Sequence, residues 1–479
     1  MSGSVDLSGL TAVELTAALA SGEVSARDAV EHVLQVTERE NPRLGAFLSV
    51  APVLARQRAA ALDERFAQDG PTGRLHGLPT AFKDLTDVAG MRTTFGSRIA
   101  QDAEPADQDD ALAATVHGAG AVSVGKTNVP EFGLPCHTEN LIAPPTRNPL
   151  DPARTAGGSS GGAAAAVASG MLPVAPGNDG GGSVRIPAAA CGLVGFKPGR
   201  NVVPADRAAA QMTAQLGGPE AGSVRNLTCS GPLARTVEDA GLLLDAMLGA
   251  EWSGPGDRGP LQTAAVDADP GRLSVGVSTE SPFAPDLEIT LAPAAVSAVT
   301  AAATALAHAG HEVSEVEVGF QPGYHRMFRT VWTSALARIP LPQEAETLLG
   351  PLAANFLELV RGYSEDQVTE AVAGLEAWAA DARGRLDAVD VVMTPVLAFA
   401  PPPIGTFTAL PPAEDYELQC RFTPYTSMVN VMGLPAVSVP VLRDEGGLSW
   451  SVQLIGREGT EVQLTALAAQ LEGLLAGRG

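Results

Sequence analysis

Residues 148–199 read NPLDPARTAGGSSGGAAAAVASGMLPVAPGNDGGGSVRIPAAACGLVGFKPG. Two glycine turns that carry serines, 157–162 and 177–183, each pass straight into an alanine-rich run. Short apolar runs follow at 173–175 and 193–196. Alanine is the best helix former and lets another backbone come close, whereas short apolar runs bounded by glycine read as buried strands. Strand and helix in alternation specify an α/β fold. Glycine at the turns permits positive φ and close approach of a ligand to the main chain. Consecutive N–H groups over 180–183, at a helix start, can form a nest for a developing oxyanion.

The pattern extends outward. Thr11 and Glu14 have capping-box spacing ahead of Leu15 and Leu19, and Gly22 is a natural stop. Ser25 and Asp28 open a second helix that turns Val30, Val33, Leu34 and Leu44 inward, and a third helix is expected over 52–67. Apolar runs at 121–124, 273–277, 389–394, 436–439 and 452–455 predict strands, and 460–475 a closing helix. Segments 251–270 and 399–416, rich in Gly, Pro and acidic residues, read as surface loops. No composition break divides the chain, so one domain over 1–479 is expected. Its parts are N-terminal helices (about 8–67), a catalytic core (about 75–240), a helical region covering a pocket (about 280–385) and C-terminal strands and helix (about 386–476). The predicted architecture is a mixed, mostly parallel central sheet with helices on both faces.

Composition narrows the function. The 479 residues include 31 Lys and Arg against 54 Asp and Glu, a net charge of −23. That balance argues against sequence-independent binding to nucleic acid or an anionic membrane, both of which need a basic face. No apolar run approaches the roughly 20 residues of a membrane span, and the N-terminus has no secretory pattern, so a cytoplasmic protein is expected. Cys136, Cys191, Cys229 and Cys420 form no CxxC pair, and the seven histidines form no HxxxH or HExxH. No metal and no organic cofactor is expected. A histidine-based triad loses ground because no GxSxG elbow occurs.

GGSSGG alone could be a linker, but an apolar helix follows at once and a second glycine–serine turn recurs 24 residues later. Neither turn has the lysine of a phosphate-binding loop. Nucleophilic catalysis by serine needs a base, and a lysine serves if burial lowers its pKa. Lys83 ends the apolar run GLPTAFKD (77–84) and is the candidate, although such a lysine is also common as a snorkelling strand-end residue.

The chain resembles the amidase signature family. The resemblance rests on GLPTAFKD (77–84), GKTNVPEF (125–132), TRNP (146–149), GGSSGG (157–162), GNDGGGSVRIPA (177–188), CGLVGFKP (191–198), SGPLART (230–236) and GLPAVSVP (433–440), and so covers essentially the whole chain. It implies a Ser–cis-Ser–Lys triad with Ser183 as nucleophile, Ser159 as bridging serine and Lys83 as base. The N–H groups of Gly180, Gly181, Gly182 and Ser183 would form the oxyanion hole. Ser160 and Asp179 are read as loop hydrogen-bonders and Arg185 as a partner for a carboxylate. The sequence departs from the family at Asn178, where Thr or Ser is usual, at Gly180, and over 199–202. No triad residue is lost.

The implied reaction is hydrolysis of an acyl C–N bond through a serine acyl-enzyme. The substrates would be small amides, aryl anilides, carbamates or urethanes, or amide oligomers, as in the branch acting on nonpolar or xenobiotic amides. Alternatives are the glutaminase subunit of a tRNA-dependent amidotransferase and a non-catalytic scaffold with the same fold. The acyl pocket is expected from Phe132, Cys136 and Thr138, the 200–220 loop, and a 324–335 helix with Phe328 and Trp332. The assembly expected is a protein that takes a small-molecule substrate, with room for a homodimer.

Overall fold

Both N-terminal capping boxes form. Thr11 Oγ1 accepts from Glu14 N at 3.1 Å and Glu14 returns a bond to Thr11 N, opening the helix Ala12–Ser21; Ser25 and Asp28 do the same for Ala26–Leu44. Gly22 closes the first helix in the left-handed conformation, and Val30, Val33, Leu34 and Leu44 are buried. The third helix is Pro52–Asp69. This is a computed structural model that describes residues 7, 9–215, 220, 222–334, 336 and 343–476. The start of the expected 8–67 segment, residue 8, therefore lies outside the described residues.

Strands β1 (Phe47–Val50), β2 (Pro79–Lys83) and β3 (Val122–Thr127) form a small sheet in the order β1-β3-β2, with β2 and β3 parallel. The large sheet is built from β4 (Val174–Asp179), β5 (Val194–Lys197), β6 (Cys229–Ala234), β7 (Ser274–Val277), β8 (Glu312–Glu315), β9 (Val391–Pro395), β10 (Ala436–Arg443) and β11 (Ser449–Gly456). Its order is β8-β7-β9-β11-β10-β5-β6-β4. The expected mixed α/β sheet is present, and five of its eight strands point the same way. Neighbour by neighbour, however, only β8–β7 and β7–β9 are parallel, and the other five pairings are antiparallel. The reason is local. β4 and β5 flank the crossover helix Arg185–Cys191 and run parallel to each other, but β6 inserts between them antiparallel to both. β10 and β11 form a hairpin, which is necessarily antiparallel.

Several strands and helices escaped the apolar-run criterion. β6 contains Gly231 and Pro232, β8 is an exposed, charged edge strand inside the region expected to be helical, and β1 is short. The supposed loop 251–270 holds the helix Pro260–Asp267, and Pro412–Phe422 begins inside the supposed loop 399–416; each starts with a proline where a helix tolerates one. In 280–385, Pro293–His308 packs on the large sheet. Tyr324–Ser334 and Glu365–Leu386 instead pack together, and with Pro412–Phe422 and Ser427–Met432 they build a separate hydrophobic cluster beside the glycine turns. Among the described residues no helix is long and apolar enough to cross a membrane.

β2 and β3 are locked at the end that carries Lys83. Lys126 Nζ of β3 lies 3.0 Å from Asp84 Oδ1, with both side chains at most 1% exposed, and Thr94 donates to Asp84 from N (2.9 Å) and from Oγ1. Leaving one buried charge without its partner costs about 3–5 kcal/mol, whereas replacing both with apolar groups is often neutral. Lys126→Met should therefore lower the unfolding free energy by about that amount in urea titration, and Lys126→Met with Asp84→Leu should recover most of it. A single variant as stable as the wild type would show that the pair does not hold the strands.

Candidate active site

Lys83, the last residue of β2, is 2% exposed. Its Nζ donates to Ser159 Oγ at 2.8 Å and to Asn178 O, the penultimate carbonyl of β4, at 3.2 Å. Burial pulls the Lys83 ammonium down to about 7, against the opposing charge of Asp179. Ser159 follows a cis Gly158–Ser159 peptide bond in the turn that enters the helix Gly161–Ala168. That helix is buried through Val167, and its glycines and alanines allow contacts that larger residues forbid. A Cβ on Gly162 would lie 2.3 Å from Asn128 N.

The second turn is organised by Asp179. Burial alone would raise this carboxyl, but the charge and hydrogen bonds of Arg185 hold it well below the usual carboxylate range. Arg185 is 0% exposed and reaches Asp179 with Nε (3.0 Å) and Nη2 (2.9 Å); its other contacts are Gln453 Oε1 and Asn430 Oδ1. Asn430 Nδ2 donates back to Asp179 O and Oδ1. Asp179 also accepts from Gly182 N at 2.7 Å and Val184 N at 3.2 Å. Of the four N–H groups expected to form the oxyanion hole, that of Gly182 is thus directed to Asp179; among the described residues those of Gly180, Gly181 and Ser183 have no acceptor. Ser160 N donates to Ser183 O at 3.2 Å and ties the two turns together, while Ser160 Oγ reaches Asn178 O at 3.4 Å. The departure at Asn178 is harmless because its main-chain carbonyl makes these contacts; its side chain turns to Ser230.

Ser183 is 7% exposed and opens into a pocket shared with Cys136, Gly181, Phe328 and Trp332. Three of the five expected pocket side chains are therefore present. Thr138 is not: it is fully buried, with Oγ1 donating to Gly157 O at 2.8 Å, and braces the first turn from behind. Phe132 does not line the pocket either, and the expected 200–220 loop, most of whose described residues form the helix Pro204–Gln215, contributes no described residue to it. Residues 216–219 of that loop lie outside the described residues. Sequence reasoning missed Phe283, Tyr416, Gln419 and Ser427 on the pocket wall. It also missed Asn430 and Gln453, whose signal was a lone amide inside the apolar runs SMVNVMGLP and SVQLIG. At the departure Gly180, a Cβ would approach Trp332 Cζ3 to 3.0 Å, so glycine lets the indole sit against the loop.

A second constellation has triad-like distances: His117 Nε2 is 2.6 Å from Ser123 Oγ and Nδ1 is 2.6 Å from Asp109 Oδ2. Ser123 is 0% exposed near the start of β3, so no acyl group can reach it. Among the described residues no group of three His, Cys, Asp or Glu is placed to hold a metal ion.

Gly182 supplies a test of the loop. At φ +127° it is in a region L side chains avoid, and a Cβ there would lie 2.3 Å from Thr426 Oγ1, which donates to Gly181 O. Gly182→Ala should displace the 180–183 main chain and lower kcat/KM on an amide by at least about 100-fold, a size typical of losing an oxyanion donor. Activity within threefold of wild type would show that this loop geometry is dispensable.

Known proteins resemble the chain over nearly its whole length. The acylamidase of Rhodococcus erythropolis is 31% identical over 480 residues, covering 97% of this chain and 95% of its own. The solved 6-aminohexanoate cyclic dimer hydrolase in complex with substrate superposes with a TM-score of 0.83 at 28% identity, covering 97% of both chains. A bacterial aryl acylamidase of the amidase signature enzymes superposes at 0.82 with 26% identity, covering 98% of this chain and 96% of its own. The family model described as Amidase matches residues 28–465, so the chain belongs to the amidase signature family of hydrolases that act on C–N bonds.

Proposed function

We propose that the chain hydrolyses small apolar amides through an acyl-enzyme on Ser183, with Ser159 relaying a proton to Lys83. One observation carries this reading: Lys83 Nζ lies 2.8 Å from Ser159 Oγ in a site where burial leaves the amine near half-neutral at pH 7. In the neutral amine the hydrogen bond reverses, so that Ser159 donates to Nζ and its oxygen can accept the proton of Ser183 during attack. Ser183 Oγ attacks the carbonyl carbon as its proton passes through Ser159 to Lys83. The oxyanion develops beside the Gly180, Gly181 and Ser183 N–H groups. The proton then returns through the same path to the leaving nitrogen, the C–N bond breaks, and water repeats the cycle on the acyl-enzyme.

The acyl side is set by Phe283, Phe328 and Trp332, and among the described residues no charged side chain lines this pocket. Aryl or alkyl acyl groups fit such walls. Free glutamine would place its α-ammonium and α-carboxylate there without partners, which weighs against the glutaminase alternative. The names of the acylamidase relatives support anilides, and the same attack and relay extend to aryl carbamates.

Ser183→Ala should lower kcat on the best anilide by at least about 1,000-fold and abolish labelling by a fluorophosphonate, read by intact-mass spectrometry. A variant retaining a hundredth of the activity would remove Ser183 from the nucleophile role. The pH dependence tests Lys83. Below its pKa it is an ammonium and cannot accept a proton, so kcat/KM should rise through about pH 7 and level off above it. Lys83→Arg should remain inactive throughout, because guanidinium stays protonated. A rising limb that survives in Lys83→Ala would assign the base to another group.

A further inference from the structure

The peptide that joins Gly181 to Gly182 is held at both of its polar ends. Its N–H donates to Asp179 Oδ1 at 2.7 Å, and its carbonyl, Gly181 O, accepts from Thr426 Oγ1 at 2.6 Å. In a trans peptide these two groups point in opposite directions, so the plane is gripped from two sides. Among the described residues no other donor reaches Gly181 O. The plane needs such a hold. It lies between two glycines, which offer the least resistance to its rotation. Gly182 stands at φ +127°, and turning the plane over would return it to a negative φ, which any residue adopts with ease. The observed orientation is therefore not the one the local backbone prefers, and side chains from elsewhere must select it. Asp179 is one of them, fixed in turn by Arg185. Thr426, 245 residues further along the chain, is the other.

The position of Thr426 separates this bond from ordinary upkeep of the fold. Thr426 is 0% exposed and stands at the N-cap of the helix Ser427–Met432. A threonine there ordinarily uses its oxygen to accept from the first turn of its own helix. This one makes no such cap, and its hydroxyl is turned across to the glycine loop. Four residues on, Asn430 of the same helix donates to Asp179 O and Oδ1. One short helix thus braces the loop at two points, through Asn430 on the carboxylate and through Thr426 on the carbonyl. The gripped plane connects the residues that carry the N–H groups of Gly181 and Ser183, neither of which has an acceptor among the described residues. Its orientation therefore sets how these two donors converge. Removing the hydroxyl leaves the carbonyl without a protein partner and releases one end of the plane.

We propose that Thr426 is a positioning residue for the oxyanion loop: its hydroxyl holds the Gly181–Gly182 peptide so that the N–H groups of Gly181 and Ser183 meet the negative charge developing on the attacked carbonyl. On the acyl-enzyme reading above, this hold matters as the tetrahedral intermediate forms, so it acts on kcat rather than on substrate binding. The test compares Thr426→Val, which keeps the shape and loses the hydroxyl, with Thr426→Ser, which keeps the hydroxyl, on hexanoyl 4-nitroanilide. Thr426→Val should lower kcat by at least about tenfold, less than the loss of a whole oxyanion donor, with KM within about threefold of wild type. Thr426→Ala should do the same with no possibility of overpacking, and Thr426→Ser should keep kcat within about threefold of wild type. The rising limb of kcat/KM near pH 7 should stay in place in all three, because Lys83 is untouched. Labelling of Ser183 by a fluorophosphonate, whose phosphoryl oxygen uses the same donors, should slow by at least about tenfold in Thr426→Val. Thermal melts establish that the variants are folded. With wild-type Ser183 labelled, any of four results would overturn the proposal alone: kcat within threefold of wild type in both variants lacking the hydroxyl, a loss carried by KM, a displaced pH limb, or Thr426→Ser as impaired as Thr426→Val. Absence of label on Ser183 in folded wild type would overturn the acyl-enzyme reading and the proposal together.

Discussion

A guanidinium with no solvent contact fixes the centre of this protein. Arg185 reaches Asp179 through two nitrogens and extends on to Gln453 of β11 and Asn430 of the Ser427–Met432 helix. Four separate pieces of chain thereby meet around one carboxylate: the end of β4, the helix after it, the hairpin strand β11 and a short helix near the C-terminus. Such a pair contributes little net stability over apolar packing, but it is geometrically demanding, since a planar fork and a carboxylate fit in few ways. Once Asp179 is held, it draws the N–H groups of Gly182 and Val184 towards itself and so shapes the turn that carries Ser183.

The two buried lysines at the β2–β3 end show how environment divides one residue type into two roles. Lys126 has Asp84 within 3.0 Å and keeps a partner for its charge. Among the described residues Lys83 has only hydroxyl and carbonyl oxygens as hydrogen-bond partners, and Asp179, the acid that acts on it, is already engaged by Arg185. The low polarity around Lys83 then favours the neutral amine. Proximity in sequence gave no hint of this division, because both residues end apolar runs.

What could be read from the chain alone depended on whether the signal was local. Capping boxes, the helix-forming alanines and the glycine turns are short-range features, and 148–199 accordingly folds as it reads. The contact between Lys83 and Ser159 spans 76 residues and was reachable only through family resemblance. Thr138 was misplaced because a threonine near the site looks alike whether it faces the pocket or props a turn. The sheet pairing could not be foreseen from alternation either, since the insertion of β6 between β4 and β5 is decided by a strand containing Gly231 and Pro232. Phe283, Tyr416 and Gln419 come from distant helices and loops, and nothing local marks them as neighbours.

The tightly packed helix Gly161–Ala168 has a consequence for how such an enzyme can diversify. Its small residues touch neighbouring main chain so closely that almost any larger side chain collides, as at Gly162. Larger side chains are therefore poorly accommodated in the floor beneath the two glycine turns. The roof is different: Phe328, Trp332 and Tyr416 belong to helices whose packing is mainly among themselves and with side chains that can readjust. Substrate range can drift on that roof while the floor stays unchanged, and a mutational library aimed at new acyl groups would find its survivors there.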